Sequence, residues 1–225
     1  MTKKVSIIIT CYNLERFITR AINSCINQSM DESLYEVIVI DDGSSDNSWD
    51  AIKLFGDMGG ILKTIKLDTN QGVSRASNVA LEACTGEYVM KVDGDDFISN
   101  NMLLTMCDVL DYNLDIGFVY CDHFVITNNQ QRTMQINTLE KLLDHGAGVM
   151  FRREYVQALG GWNEDVKTRD DMDLLLRYMK NFNGYHLRIP FYRYNKREGS
   201  LSSMSIMRQA EAEQIKKGLN NVYKR

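Results

Sequence analysis

A chain of 225 residues, 44% hydrophobic and 25% charged, has the material for one large soluble domain or two small ones around a buried core. Its net charge of −4 and the lack of any basic stretch exclude nucleic acid as the expected partner. No apolar run approaches the length of a membrane span, and the run that follows Met1-Thr2-Lys3-Lys4 is too short for a signal-peptide core.

Residues 5–10 are β-branched and read as a strand. Residues 14–27 place Phe17, Ile18, Ala21, Ile22, Cys25 and Ile26 on one face of an amphipathic helix. A second strand is expected over 35–40, and a helix over 45–55 with Ser45 as its cap and Asp46 near its positive end. Then come a strand at 62–67, a helix at 73–84 closed by Gly86, a strand at 88–92 and a helix at 100–110. This β-α-β-α order predicts an α/β fold, Rossmann-like, with a mostly parallel central sheet flanked by helices on both faces. The second half is less regular. It offers a strand at 116–121, a polar strand running into a loop at 123–132, and Gly146-Ala147-Gly148 ahead of a helix at 153–159 that Gly160-Gly161 ends. A helix at 171–181, a polar mobile loop at 193–203 and a terminal helix at 204–219 complete it. With no repeat, low-complexity tract or linker, one domain over 1–225 is the expectation. The five cysteines, Cys11, Cys25, Cys84, Cys107 and Cys121, are scattered without a C-x-x-C pair, so reduced, buried thiols in a cytoplasmic protein are expected, and no structural zinc.

The densest chemistry lies in Asp93-Gly94-Asp95-Asp96, directly after an apolar run. Carboxylates that close repel by about 1 kcal/mol per pair at 4 Å even in bulk water, and by more near protein. A divalent cation relieves that repulsion, and phosphate is its natural partner. In open α/β sheets ligands bind beyond the carboxyl ends of the strands. Three unusual segments fall at such ends: Thr10-Cys11-Tyr12-Asn13, Asp41-Asp42-Gly43-Ser44 and Asp93-Gly94-Asp95-Asp96. Taken singly, the first two are ordinary turns and the third a solvated acidic bend. Their shared position is what points to a ligand.

Together with Asn70-Gln71-Gly72-Val73-Ser74-Arg75, Gly160-Gly161-Trp162-Asn163-Glu164, Arg169-Asp170-Asp171-Met172-Asp173 and Gly199-Ser200-Leu201-Ser202, these segments resemble, in order, the family-2 glycosyltransferases with the inverting GT-A fold. The resemblance implies a nucleotide-diphosphate-sugar donor, usually a UDP-sugar, bound by residues 1–98, and an acceptor half over 99–225. Asp41 and Asp42 fall in the donor motif, with Asp42 matching the carboxylate that accepts a hydrogen bond from the base. Tyr12 is expected to stack on that base and Thr10 to contact it. Arg75 and Asn78 share a helix face near the donor. Asp93 is expected at the ribose or sugar, and Asp96, with Asp95 as alternate, on Mn²⁺ or Mg²⁺.

The same resemblance makes Asp171 the general base, with Asp170 where the family carries Glu. Trp162 and His145 are expected on the acceptor side, while His123 and His186 are expected to be structural. Arg197 stands where the family often has a His, which an arginine can replace at a diphosphate but not at a metal. The implied reaction is a single inverting displacement onto a hydroxyl of a glycan or lipid-linked acceptor. Lipid-linked acceptors imply transient contact with the inner face of a membrane. Two alternatives are a nucleotidyltransferase, which needs a basic pair after the first strand whereas Lys3-Lys4 precede it, and a non-catalytic nucleotide-sugar-binding module.

Overall fold

Strands β1 (Val5–Cys11) and β2 (Tyr35–Asp41) are buried at every position, the pattern of strands covered on both faces. Alternation divides their side chains between two cores. Ile7, Ile9, Val37 and Val39 pack under helix α1 (Ile18–Ile26), while Ile8, Ile38 and Ile40 pack under helix α3 (Val73–Glu82). Each buried isoleucine contributes about 1.5–3 kcal/mol, which fixes the register because a one-residue slip would exchange the two faces. β3 (Leu62–Lys66) flanks β2, and β4 (Tyr88–Asp93) flanks β1, all in parallel. Short helix α2 (Ser48–Lys53) returns the chain from β2 to β3. Thr10 lies opposite both Ile40 and Asp93, so the ends of β1, β2 and β4 open on one edge.

The computed structural model describes residues 3–127, 132–197 and 209–215. Beyond β4 come β5 (Phe97–Ile98), α4 (Met102–Tyr112), β6 (Ile116–Ile126), β7 (Arg132–Gln135), α5 (Leu139–His145), β8 (Val149–Arg152), α6 (Arg153–Ala158), α7 (Asp170–Tyr178) and β9 (Asn183–Asn195). Among the described residues nine strands make one sheet, in the order β3-β2-β1-β4-β8-β6-β9-β5, with β7 on β6. Parallel pairing carries the first half. The second is mixed, since β8 runs antiparallel to both β4 and β6 while β9 runs parallel to β6.

Several elements depart from the sequence reading: α2 begins at Ser48 after Asn47 rather than at a Ser45 cap, and β8 stands between Gly148 and α6 where no strand was expected. α5 forms where the sequence reading assigned no element, begun by Thr138, whose hydroxyl accepts from the Lys141 amide, and ended by Gly146 in the left-handed region. Residues 193–195, expected in a polar loop, close β9 instead. The rest of that loop from 198 to 203 lies outside the described residues, as does the terminal helix except for helical residues 209–215. All five cysteines are free and buried. No helix among the described residues is long and apolar enough to cross a membrane.

Candidate active site

A cavity of about 480 Å³ opens at the shared strand ends, between the loops after β1, β2 and β4 and the start of α7. Thr10, Tyr12, Asp42, Asp93 and Asp95 line one side, with His145, Asp170 and Asp171 on the other. The loops on the first side are latched to one another. The Asn13 side-chain oxygen Oδ1 accepts from the Ser45 backbone amide (2.9 Å), and the Ser44 hydroxyl accepts from the Asn13 backbone amide (2.9 Å). Asn13 itself takes a left-handed φ of 54°, which leaves Tyr12 standing 46% exposed.

Asp42 spans from β2 to the start of α3, its two oxygens accepting from the amides of Gln71 (2.7 Å) and Gly72 (2.9 Å). Burial raises its carboxyl above the usual range against the pull of those amides. Asp41 is fully buried, does not line the cavity, and has two oxygens without a partner among the described residues.

The acidic bend packs tightly on β1. A Cβ on Gly94 would fall 2.7 Å from the Thr10 carbonyl oxygen, which the Gly94 amide already engages at 3.0 Å. Its three carboxylates part company. Asp93 and Asp95 face the cavity, and Asp95 Oδ2 accepts from Arg197 Nε at 2.6 Å. Asp96, expected on a metal, is 1% exposed and turned away. Its Oδ1 accepts from the Asn195 amide (2.7 Å) and its Oδ2 from the Tyr192 hydroxyl (2.8 Å), so both oxygens are committed to β9. Burial, with the charges of Asp95 and Asp93, holds the Asp96 carboxyl well above the usual range. The oxygen-only set of Asp93 and Asp95 suits a hard cation. Among the described residues no three His, Cys, Asp or Glu side chains are grouped to cage one. Mg²⁺ and Mn²⁺, which take one or two carboxylates and complete their shells with water and substrate phosphates, are the hard cations that such a pair of oxygen donors could hold.

Across the cavity, α7 begins with Asp170 and Asp171 in its first turn, at the positive end of the helix dipole. Lys91 reaches them from β4. Its ammonium stands 2.9 Å from Asp170 Oδ2, 3.1 and 3.0 Å from the two oxygens of Asp171, and 3.6 Å from Asp93 Oδ1. Burial works to lower the Lys91 ammonium, but the three carboxylates outweigh it and hold it well above its usual range. Burial and the charge of Asp170 push Asp171 up to about 7, against Lys91. The Asp171 side chain keeps 22% exposure toward the cavity.

Several residues expected at ligands have protein partners in this structure. Trp162 is 2% exposed and off the cavity, where its indole N–H donates to Asp171 Oδ1 at 3.0 Å. It steadies the carboxylate and offers no open ring face. Asn78 brackets Trp162, donating to its carbonyl oxygen (2.8 Å) and accepting from its amide (2.8 Å). Arg75 pairs with Glu164 at 3.3 Å on the outer side of that turn. Neither Arg75 nor Asn78 lines the cavity. His145 does, with its ring fixed at both nitrogens: Nδ1 accepts from the Ala147 amide (3.0 Å) and Nε2 meets Asn137 Oδ1 (3.1 Å). His186 meets Asp122 at 2.7 Å, and the buried His123 stacks edge-on against His145. Lys91, Tyr192 and Gly146 are positions in contact with the site carboxylates that sequence reading missed. Of these only Lys91 carried a signal, as a lone cation in an apolar strand.

An acid-lined cavity at the carboxyl edge of the parallel strands, with latched loops on one side and a carboxylate at a helix start on the other, stands where open α/β sheets bind their ligands. The glycosyl transferase family 2 model matches residues 6–210, and the chain belongs to that family. An uncharacterized glycosyltransferase of Haemophilus influenzae is 36% identical over 124 residues, 55% of this chain and 45% of that protein. The poly(ribitol-phosphate) beta-N-acetylglucosaminyltransferase TarS of Staphylococcus aureus is 37% identical over 101 residues, 44% of this chain and 18% of TarS. The chain thus spans less than half the length of these relatives. The crystal structure of TarS 1–349 with UDP-GlcNAc superposes with a TM-score of 0.76 at 25% identity, over 89% of this chain and 61% of that one. A mannosyltransferase of Pyrobaculum calidifontis, in complex with GDP-Man and Mn²⁺, shares the fold with a TM-score of 0.75 at 20% identity, over 92% and 61%.

Proposed function

We propose that this chain is an inverting hexosyltransferase of a single catalytic domain. Residues 1–98 would take a nucleotide-diphosphate sugar, and 99–225 would take the acceptor. The observation that carries this reading is the pairing of two acidic walls across one cavity, Asp93 and Asp95 facing Asp171. One carboxylate on the acceptor side and one leaving group opposite give one displacement and one inversion.

The donor is a UDP-sugar, as in the TarS complex. Tyr12, exposed at the rim, stacks on the base, with Thr10 and Asp42 beneath it. Asp42 keeps a lone pair on each oxygen beyond those its amides use, enough to accept from the base N–H. Asp93 meets the ribose or the sugar. Asp95 is the residue that holds Mn²⁺ or Mg²⁺, and a bound cation would neutralise charge growing on the departing diphosphate. Arg197, already beside Asp95, supplies a guanidinium to the same diphosphate. Asp171 takes the proton of the acceptor hydroxyl as that oxygen bonds to carbon, and Asp170 and His145 orient the acceptor. The acceptor is a surface glycan or a lipid-linked or polyol-phosphate chain. TarS is named for poly(ribitol-phosphate). Work on lipid-linked acceptors would bring a cytoplasmic enzyme transiently to the membrane surface.

A thermal-shift screen of UDP- and GDP-sugars with and without Mn²⁺ tests this reading. One donor should raise Tm only with the metal, by a margin that grows with ligand concentration. No shift with any nucleotide sugar would refute it.

A further inference from the structure

We propose that Lys91 is the positioning residue for the general base, the group that holds Asp171 in register with the donor side of the cavity. The inference rests on the transferase reading above and goes beyond it. Lys91 shares its strand face with Val89, and its partner across β1 is Ile8, so its neighbours in the sheet call for an apolar residue. The lysine is 8% exposed there. A buried ammonium is unfavourable unless it is paired and hydrogen-bonded.

Its three N–H bonds are all spent on the first turn of α7. One goes to Asp170, the others to the two oxygens of Asp171, and Asp93 stands at 3.6 Å as a third negative neighbour. Asp93 belongs to the bend that faces the donor, and Asp170 and Asp171 open α7. A single cation from β4 therefore sets how far the base stands from the donor-binding bend. It also distinguishes the two oxygens of the base. Oδ1 accepts from both Lys91 and Trp162, whereas among the described residues Oδ2 accepts from Lys91 alone. Oδ2 keeps the free lone pair, so Oδ2 is the atom that receives the acceptor proton.

The test measures UDP release from UDP-GlcNAc in MnCl₂, with water as the acceptor, beside UDP affinity by calorimetry on the same samples. Lys91→Met should lower kcat about 100-fold, the scale of a misplaced general base, while UDP affinity stays within about threefold. Lys91→Arg keeps the charge and should recover at least about tenfold of that loss. A purely structural lysine predicts a different split: lower Tm with unchanged kcat per UDP-binding site. Should Lys91→Met fail to bind UDP, Lys91→Gln is judged by the same criteria. A wild type that releases no UDP overturns the transferase reading and this inference together. An active wild type whose Lys91→Met variant keeps its kcat, or whose Lys91→Arg variant is no better than Lys91→Met, overturns this inference alone.

Discussion

The two walls of the cavity are held by different forces. On the wall formed by β1, β2 and β4, side chains grip backbone amides: Asn13 on Ser45, Ser44 on Asn13, Asp42 on Gln71 and Gly72. On the wall at the start of α7, ions grip ions, with Lys91 between Asp170 and Asp171. Losing one neutral latch costs about 1 kcal/mol, because water and neighbouring latches compensate. Losing one partner of a buried ion pair costs about 3–5 kcal/mol and leaves the other charge to find a proton. The first wall can flex around a ligand. The second fixes a charge state, and the sharpest experiments are those that separate the two.

The largest effect belongs to the charged wall. Asp171→Asn removes the base and should lower kcat by about 10²–10⁴, with UDP affinity unchanged. Wild-type turnover in this variant would remove Asp171 from the mechanism and leave the latched wall as the site of chemistry. Next is Gly146→Ala. Gly146 has φ +64°, and a Cβ there would fall 2.2 Å from the Cβ of Asp171. The base must move or the turn must unwind, so kcat should fall about 100-fold with a lower Tm. An alanine variant as fast as wild type would show that the base tolerates displacement.

The two walls also differ in how far they could be read from sequence. β1, β2, α1 and α3 were legible because doubly covered strands are unbroken apolar runs and amphipathic helices repeat every turn. β9 was not. Its outer residues are largely exposed, it contains Pro190, and its pairing with β6 shifts register. That single omission hid the partners of Asp96. Its charge was plain in the sequence, but the groups that consume it, Tyr192 and Asn195, lie 96 and 99 positions away. Asn78 and Trp162 were found as motif residues without their protein partners: Asn78 meets Trp162 84 positions away, and Trp162 meets Asp171 only nine positions on, across a turn that sequence spacing does not reveal. Lys91 could be seen as an anomaly, but its three carboxylates could not be assembled without α7 in place.

A smaller effect, and one that sharpens the contrast, is pH. Asp171 works only as the carboxylate, and burial beside Asp170, with Asp93 adding to it and Lys91 opposing, pushes it up to about 7. A raised carboxyl pKa means the active form is lost as pH falls through that value. The kcat should hold above about 7 and drop roughly tenfold per unit below it. An acid limb centred near 4, the ordinary aspartate range, would mean that Lys91 dominates the wall and its neighbours do not.

The smallest effect is the most discriminating for Arg75. Family resemblance puts this arginine near the donor, yet its guanidinium pairs with Glu164 at 3.3 Å, both side chains nearly half exposed, outside the turn that carries Trp162. An exposed pair of this kind contributes about 0–1 kcal/mol. Arg75→Ala should therefore leave UDP affinity and kcat within about twofold, and Tm nearly unchanged. Asn78→Ala, one turn along the same helix, should lower Tm and kcat together, because it releases both hydrogen bonds that set Trp162 against Asp171. If Arg75→Ala instead weakened UDP binding tenfold or more, the guanidinium would have to leave Glu164 and swing to the diphosphate in the complex. The latched wall would then extend along α3, and the division between the two walls drawn here would fall one helix turn further from the base.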